Sequence, residues 1–159
     1  MNRRQQFLTQ IMGAMALVAL LGATPAAAQS QIYAGSNCQP ASEVRTDTNL
    51  GREAGSALSN AGNPNQVVFC PVLRDLVLST NGFAADVLVQ GFVTCSIASL
   101  GEDGIEVIEG VAAEPDPNGG ALQELRLEVT QSVAQGPYIL RCRMNNATEI
   151  RKYTITENP

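Results

Sequence analysis

The four cysteines, at positions 38, 70, 95 and 142, are the residues of this chain that could do the widest range of chemistry. A nucleophilic thiol is normally activated by a histidine, and the chain contains none. A thioredoxin-type redox pair needs the spacing Cys-x-x-Cys, which is absent. Zinc sites made of four cysteines usually show two close pairs, whereas the gaps here are 32, 25 and 47 residues. The spacing therefore favours two disulfide bonds.

Carboxylates are the next candidates, because the lack of histidine also excludes a Ser-His-Asp triad and histidine general-base catalysis. Hydrolysis of a glycosidic bond needs only two acids beside a groove. Each candidate pair is more simply a set of solvent-facing charges on a strand or turn. The pairs are Glu102 with Asp103, Glu106 with Glu109, and Glu124 with Glu128. We therefore assign no catalytic residue and expect the protein not to be an enzyme.

A metal site is conceivable in the segment "EPDPNGG" at 114–120. Glu114, Asp116 and Asn118 offer oxygen atoms at alternate positions, an arrangement that can surround calcium. The segment lacks the further acidic ligands and the distal glutamate of an EF-hand. A hairpin loop whose Pro, Asn and Gly residues set the turn explains it more simply, so we assign no cofactor or metal.

Alternating apolar and polar residues indicate which elements position these side chains. In "FAADVLVQGFVTCSIASL" the odd positions from Ala85 to Ile97 form one apolar row that includes Gly91 and Cys95. In "GPYILRCRMNN" the row is Tyr138, Leu140, Cys142 and Met144. Period-two alternation is typical of half-buried strands.

Further strands are predicted in "QVVFCPV", "GIEVIEGVAA", "ALQELRLEVTQS" and "TEIRKYTITE". A short hairpin at 145–147 is expected to lead into the last of them. Strands that are apolar on one face need a second layer to cover that face. We therefore predict an all-β fold, a two-sheet antiparallel sandwich, with a closed barrel as the alternative.

The inward rows also predict the disulfide pairing. Cys95 and Cys142 occupy apolar rows of central strands and face the same interior. Cys38 and Cys70 remain, so we predict the pairs Cys38–Cys70 and Cys95–Cys142.

The first 28 residues have the layout of a secretory signal peptide, with Arg3 and Arg4, an apolar run, and the small residues at 26–28. The 13 apolar residues at 11–23 are fewer than the ~20 that a membrane-spanning helix needs. We favour general export over the twin-arginine route. The predicted divisions are a signal peptide at 1–28, a loosely structured N-terminal wrap at 29–64 with a short strand near "GSALSN", and the sandwich core at 65–159.

The net charge of the protein limits the classes of partner that it is expected to bind. Residues 1–28 hold two of the ten basic residues and none of the 15 acidic ones, so the net charge of −5 becomes −7 after cleavage. The acidic residues are scattered, which argues against nucleic acid or an anionic membrane as a partner. No membrane span is expected after signal cleavage.

Aromatic residues could form the platform on which sugar rings stack. The chain has no tryptophan. We place most of its tyrosines and phenylalanines in the core, and Phe92 is the candidate for exposure. We interpret Arg74 and Asp75 as a local ion pair or turn.

Several short motifs together are similar to a family of uncharacterised exported bacterial proteins. They are "NCQP" at 37–40, "CPVLRD" at 70–75, "VTCSI" at 93–97, "GPYILRC" at 136–142 and "YTITE" at 153–157, and they span nearly the whole chain after residue 28. "RCRMNN" departs from the proline-containing turn expected there. The resemblance implies a disulfide-bonded β-sandwich and supplies no functional residues.

The sequence thus predicts a secreted or periplasmic, noncatalytic β-sandwich that acts as a structural or binding module. The alternative is a carbohydrate-binding module or a glycosidase-like protein. The expected partner is a protein or glycan that the sequence does not identify.

Overall fold

The computed structural model describes residues 29–41, 50–52, 57–62, 65–74 and 81–158, so the predicted signal peptide lies outside the described residues. These residues form strands and one 3-10 turn at Gly35–Asn37. In chain order the strands are β1 (Gln29–Ala34), β2 (Gln39–Pro40), β3 (Leu50–Arg52), β4 (Leu58–Asn60), β5 (Gln66–Cys70), β6 (Asn81–Gln90), β7 (Val93–Leu100), β8 (Val107–Ala113), β9 (Leu122–Gln131), β10 (Tyr138–Met144) and β11 (Thr148–Glu157). None of the described segments forms a helix of the length and apolarity needed to cross a membrane.

The strands form two antiparallel sheets that pack as a sandwich. Sheet A has the order β3-β4-β11-β6-β9. Along one edge of β11, the first half of the strand pairs with β4 and the second half pairs with β1. Sheet B has the order β2-β5-β10-β7-β8. The predicted two-sheet sandwich is confirmed.

The inward rows of both sheets form one core. In β10 the residues alternate strictly between buried and exposed, as the sequence predicts, and in β9 Leu125, Leu127 and Val129 are buried. The largest fully buried side chains come from both sheets: Phe83, Val87, Val89, Leu127, Ile150, Tyr153 and Ile155 from sheet A, and Val68, Val93, Ile97, Leu140 and Met144 from sheet B.

The long apolar row at 85–97 is divided between the sheets. Gly91 and Phe92 form a corner at which the chain leaves β6 in sheet A and enters β7 in sheet B. Gly91 has a φ of +76°, a conformation that favours glycine. Because two residues separate β6 from β7, the odd-numbered positions face the core in both strands. Gly91 itself is exposed, so the prediction that it belongs to the inward row is wrong.

The turn at 145–147 also joins the two sheets. β10 pairs with β5 and β7 in sheet B, whereas β11 belongs to sheet A. The predicted hairpin is therefore wrong, and the segment is an arch between layers. The left-handed residue is Ala147, with a φ of 57°. The loop at 114–120 is likewise an arch, because it connects β8 in sheet B with β9 in sheet A.

A bulge in β11 explains how its apolar residues reach the core. Strict alternation would place Ile150 and Tyr153 on opposite faces. The register with β6 shifts between Ile150 and Lys152, and both apolar residues are fully buried. The extra residue, Arg151, is exposed.

The described parts of the N-terminal segment contribute strands to both sheets. β1, β3 and β4 belong to sheet A, and β2 lies at the edge of sheet B. The short strand predicted near "GSALSN" is present as β4, where Leu58 is buried. The segment is thus hydrogen-bonded to the sandwich at two separate edges.

Candidate functional site

All four cysteines are buried and paired, three of them in strands of sheet B and Cys38 directly before β2. Disulfide bonds join Cys38 to Cys70 and Cys95 to Cys142, which are the two pairs that the sequence predicts. Cys95 and Cys142 lie directly opposite each other on β7 and β10. Cys38 precedes β2, whose register with β5 places it beside Cys70. No thiol is left for chemistry, and two disulfides are typical of a protein outside the reducing cytosol.

Two of the candidate carboxylates accept hydrogen bonds, and a third, Glu128, lies 3.9 Å from Arg126. Asp103 Oδ1 accepts hydrogen bonds from the backbone N–H groups of Ile105 and Glu106, and these bonds hold the pKa of Asp103 below its ordinary value. Glu109 Oε2 accepts bonds from the N–H and hydroxyl of Thr130 and from the N–H of Gln131, at 2.8–2.9 Å. Partial burial raises the pKa of Glu109, but these hydrogen bonds outweigh it, and the net pKa is lowered. Glu109 therefore ties the edge of sheet B to the edge of sheet A.

The loop at 114–120 is closed by its own hydrogen bonds. Asp116 Oδ1 accepts the N–H of Asn118 at 2.8 Å, and the Gln123 side chain bonds the backbone N–H and carbonyl of Asp116. Among the described residues no three acidic or cysteine side chains are grouped so that they could hold a metal ion. These hydrogen bonds stabilise the loop as a turn.

The segment 71–74 crosses one end of the sandwich and contacts all three tyrosines of the chain. The Tyr153 hydroxyl donates to the Pro71 carbonyl at 2.7 Å, and the Leu73 N–H donates to the Tyr33 hydroxyl at 3.2 Å. The rings of Tyr33 and Tyr153 stack with centroids 4.8 Å apart. Two tyrosines of sheet A therefore fix the chain where it leaves β5.

Arg74 fixes the end of the same segment. Its guanidinium group donates hydrogen bonds to the carbonyls of Val133 and Gly136 at 2.5 Å and lies 4.8 Å from the centre of the Tyr138 ring. Burial raises the pKa of the Tyr138 hydroxyl. These two partners lie 59 and 62 residues away in the sequence. The predicted ion pair or turn of Arg74 with Asp75 stays a prediction, because Asp75 lies outside the described residues.

An open groove lies where the chain beyond β5 diverges from the start of β10. Its volume is about 470 Å³. Pro71 and Val72 line one side, Ile139 lines the other, and buried Cys70 and Leu140 line the interior. The disulfide and the tyrosine contacts therefore hold this groove in a fixed shape.

A row of four side chains borders the groove on the outer face of sheet B. The strand register places Gln39 opposite Phe69, Phe69 opposite Arg141, and Arg141 opposite Ser96. Neighbouring strands are about 4.8 Å apart, so this Phe69 row spans about 14 Å. Phe69 is 43% exposed, and Gln39 also lines the groove. The row combines an aromatic surface with amide, guanidinium and hydroxyl groups, which can stack on and hydrogen-bond a polar ring.

Sequence reasoning did not find this row, although the pattern contains the signal. It placed most aromatic residues in the core, which is correct for Phe83, Tyr138 and Tyr153. Phe69 precedes the inward Cys70, so alternation within β5 directs it outward. Phe92 is 42% exposed at the corner between β6 and β7. The sequence does not reveal the order of strands that brings Phe69 beside Arg141.

Solved structures with a similar fold include modules that bind carbohydrates. The C-terminal CBM6 module of LamC, a marine laminarinase from Zobellia galactanivorans, is similar over 81% of this chain and 100% of its own, with 13% identity and a TM-score of 0.50. At this identity the similarity shows a shared fold. No protein-family model and no curated protein sequence matches the chain.

Two further similarities have lower TM-scores. The xylan-binding module CBM86 from Roseburia intestinalis matches 81% of this chain and 95% of its own, with 14% identity and a TM-score of 0.45. The module CBM6cm-2 of lichenase 5A from Cellvibrio mixtus, solved with cellotriose, matches 81% and 98% with 13% identity and a TM-score of 0.40.

Proposed function

We propose that the protein is a noncatalytic glycan-binding module that acts outside the cytosol, and that the Phe69 row and the adjoining groove bind the glycan. The observation that carries the proposal is the cross-strand row Gln39, Phe69, Arg141 and Ser96. Sugar rings pack their apolar faces on aromatic side chains while their hydroxyls exchange hydrogen bonds with polar groups beside them. The row offers both kinds of group on rigid strands.

The surrounding structure supports a binding role. Two disulfides cross-link sheet B, one between β7 and β10 and one between the residue before β2 and β5. Cross-links of this kind restrict the backbone that carries the outer side chains, which lowers the entropy lost on binding. The fold is shared with a CBM6 module, but a β-sandwich hosts many functions, so the proposal depends on the row rather than on the fold.

Export through the signal peptide at 1–28 belongs to the same proposal. The disulfides agree with an oxidising compartment, and secretion or a periplasmic location would bring the module into contact with extracellular or envelope glycans. Sequencing the N-terminus of the mature protein tests this part, with Gln29 as the expected first residue.

The binding role is tested on a panel of immobilised polysaccharides that includes neutral and acidic members. Phe69→Ala is compared with Phe92→Ala, a matched control because the two residues are exposed to 43% and 42% and Phe92 lies at the corner between β6 and β7, outside the Phe69 row. We expect wild-type protein to bind at least one polysaccharide, Phe69→Ala to weaken that binding about tenfold, and Phe92→Ala to leave it unchanged.

Thermal unfolding of both variants checks that each remains folded. Wild-type protein that binds no member of the panel would contradict the proposal. Equal binding by wild type and Phe69→Ala would contradict the assignment of the row.

A further inference from the structure

Two arginines stand side by side on the outer face of sheet B. Arg141 and Arg143 alternate with buried Leu140, Cys142 and Met144 in β10, so both point to the same outer face and both are exposed. Residues two apart on a strand are separated by about 6.8 Å. Because β10 lies between β5 and β7, the two guanidinium groups project from the middle of the sheet.

The neighbours of each arginine differ on its two sides. Arg141 lies between Phe69 of β5 and Ser96 of β7, and Arg143 lies between Val67 and Thr94. Each cation thus has an apolar group on one side and a hydroxyl on the other. This order repeats along the strand, so a chain-like ligand that runs along β10 meets the same set of groups twice.

Neither arginine has a charge partner among the residues that the structure describes. The ion pairs found there lie on the other sheet, where Arg126 contacts Asp86 and Glu128, and Arg151 contacts Glu149. The outward residues of β5, β7 and β10 include no carboxylate: Val67, Phe69, Thr94, Ser96, Ala98, Ile139, Arg141 and Arg143.

The total charge of the protein makes this face unusual. The chain has 15 acidic and ten basic residues, so a polyanion is repelled by the molecule as a whole. The centre of this face has two arginines and no carboxylate among the described strand residues, and it lies beside an exposed aromatic ring. It is therefore complementary to an anionic ligand that also has an apolar surface. A sugar ring that carries a carboxylate has both properties.

We infer that the glycan is acidic, and that Arg141 and Arg143 bind the carboxylates of a polyuronate chain. This inference rests on the proposed glycan-binding function. The planar guanidinium fork matches a carboxylate with two parallel hydrogen bonds, which an ammonium group cannot reproduce. Ser96 and Thr94 supply hydroxyl groups beside the same bonds, and Phe69 supplies the stacking surface.

The test uses polygalacturonate and the same polymer with its carboxyl groups methyl-esterified, which removes the charge but keeps the sugar. We expect wild-type protein to bind polygalacturonate at least about tenfold more tightly than the ester. Arg143→Gln should weaken binding of polygalacturonate about tenfold and leave binding of the ester unchanged. Arg141→Gln changes a residue of the Phe69 row, so it should weaken binding of both polymers, and binding of polygalacturonate by the larger factor. Arg151→Gln is the matched control, since it removes the same charge from an exposed position on sheet A.

Each outcome has a distinct meaning. Equal binding of both polymers that depends on Phe69 overturns the inference and leaves the glycan-binding function intact. No binding of either polymer or of the wider panel overturns both. If dextran sulfate binds as tightly as polygalacturonate and Arg151→Gln weakens binding as much as the sheet B variants, the attraction is nonspecific and the inference fails.

Discussion

The outer faces of the two sheets differ in how their charges are arranged. On sheet A, Asp86 of β6 lies opposite Arg126 of β9 with an oxygen–nitrogen distance of 2.9 Å, and Glu149 contacts Arg151. On sheet B, Arg141 and Arg143 have no such partners among the described residues and stand beside Phe69. Exposed ion pairs contribute little to stability because water screens them, whereas exposed cations without an ion-pair partner remain available to a ligand.

The two sheets also differ in their covalent bonds. One disulfide joins β7 to β10 and the other joins the residue before β2 to β5, all at sheet B, whereas sheet A is held by hydrogen bonds, packing and ion pairs. The sheet that carries the proposed binding surface is thus the one with covalent cross-links. The account therefore expects loss of a disulfide to affect sheet B more than sheet A.

Loss of a disulfide should have the largest effect. Replacing Cys95 and Cys142 together with alanine opens a loop of 47 residues, and chain entropy predicts a decrease of up to about 4 kcal/mol in the free energy of unfolding. Denaturant unfolding measures the decrease. Hydrogen exchange should quicken in β7 and β10 more than in β6 and β9.

An unchanged free energy of unfolding would contradict the structural role of this bond. Equal acceleration of exchange in both sheets would contradict the distinction between a covalently fixed sheet and one held by packing.

Removing the Tyr153 hydroxyl should have the next largest effect. Tyr153→Phe deletes the hydrogen bond to the Pro71 carbonyl, by which sheet A fixes the side of the groove, and should decrease the free energy of unfolding by about 1 kcal/mol. Tyr33→Phe is the control, because its bond to Leu73 is more exposed and should contribute less. Equal effects of the two variants, measured by denaturant unfolding, would refute the special role of the buried bond.

The pH dependence of stability tests the hydrogen bonds by which Glu109 links the two sheet edges. Its pKa is lowered in the folded protein, so its stabilising effect is complete above the ordinary value of 4.5 and is lost as pH falls through the lower folded pKa. The difference in melting temperature between wild type and Glu109→Ala should therefore be larger at neutral pH and shrink below about pH 4.5. Glu124→Ala, an exposed charge on β9, serves as the control. A difference that does not vary with pH would argue against the hydrogen-bonded carboxylate.

The smallest effect is expected for the ion pair on sheet A. A double-mutant cycle with Asp86→Asn and Arg126→Gln should give a coupling of about 0.5 kcal/mol, because the arginine is well exposed and water screens the pair. Neither change should alter glycan binding. A coupling of several kcal/mol, or weaker binding, would remove the contrast between the two faces.

Much of the fold follows from the sequence because side-chain alternation directly encodes which residues face the core. It predicts the inward positions of Leu140, Cys142 and Met144, and those of Cys95 and Ile97. It does not predict which sheet a strand joins. Gly91 and Ala147 look like parts of a strand and a hairpin, but the chain crosses between layers at both, because long-range packing decides the partner of each strand.

The candidate site was less accessible to sequence reasoning. Its residues come from β2, β5, β7 and β10, and only the strand order places Gln39, Phe69, Arg141 and Ser96 in one line. Alternation shows that Arg141 and Arg143 point outward, but it cannot show that their neighbours on both sides lack carboxylates. That property belongs to the assembled sheet.

The central claim is that the outer face of sheet B is the binding surface. It is tested most directly by the backbone amide chemical shifts of the folded protein during titration with oligogalacturonate. The account predicts saturable changes at Phe69, Ser96, Arg141 and Arg143 and none at Asp86, Arg126 and Thr154 on the opposite face. Changes confined to β6, β9 and β11 would contradict it.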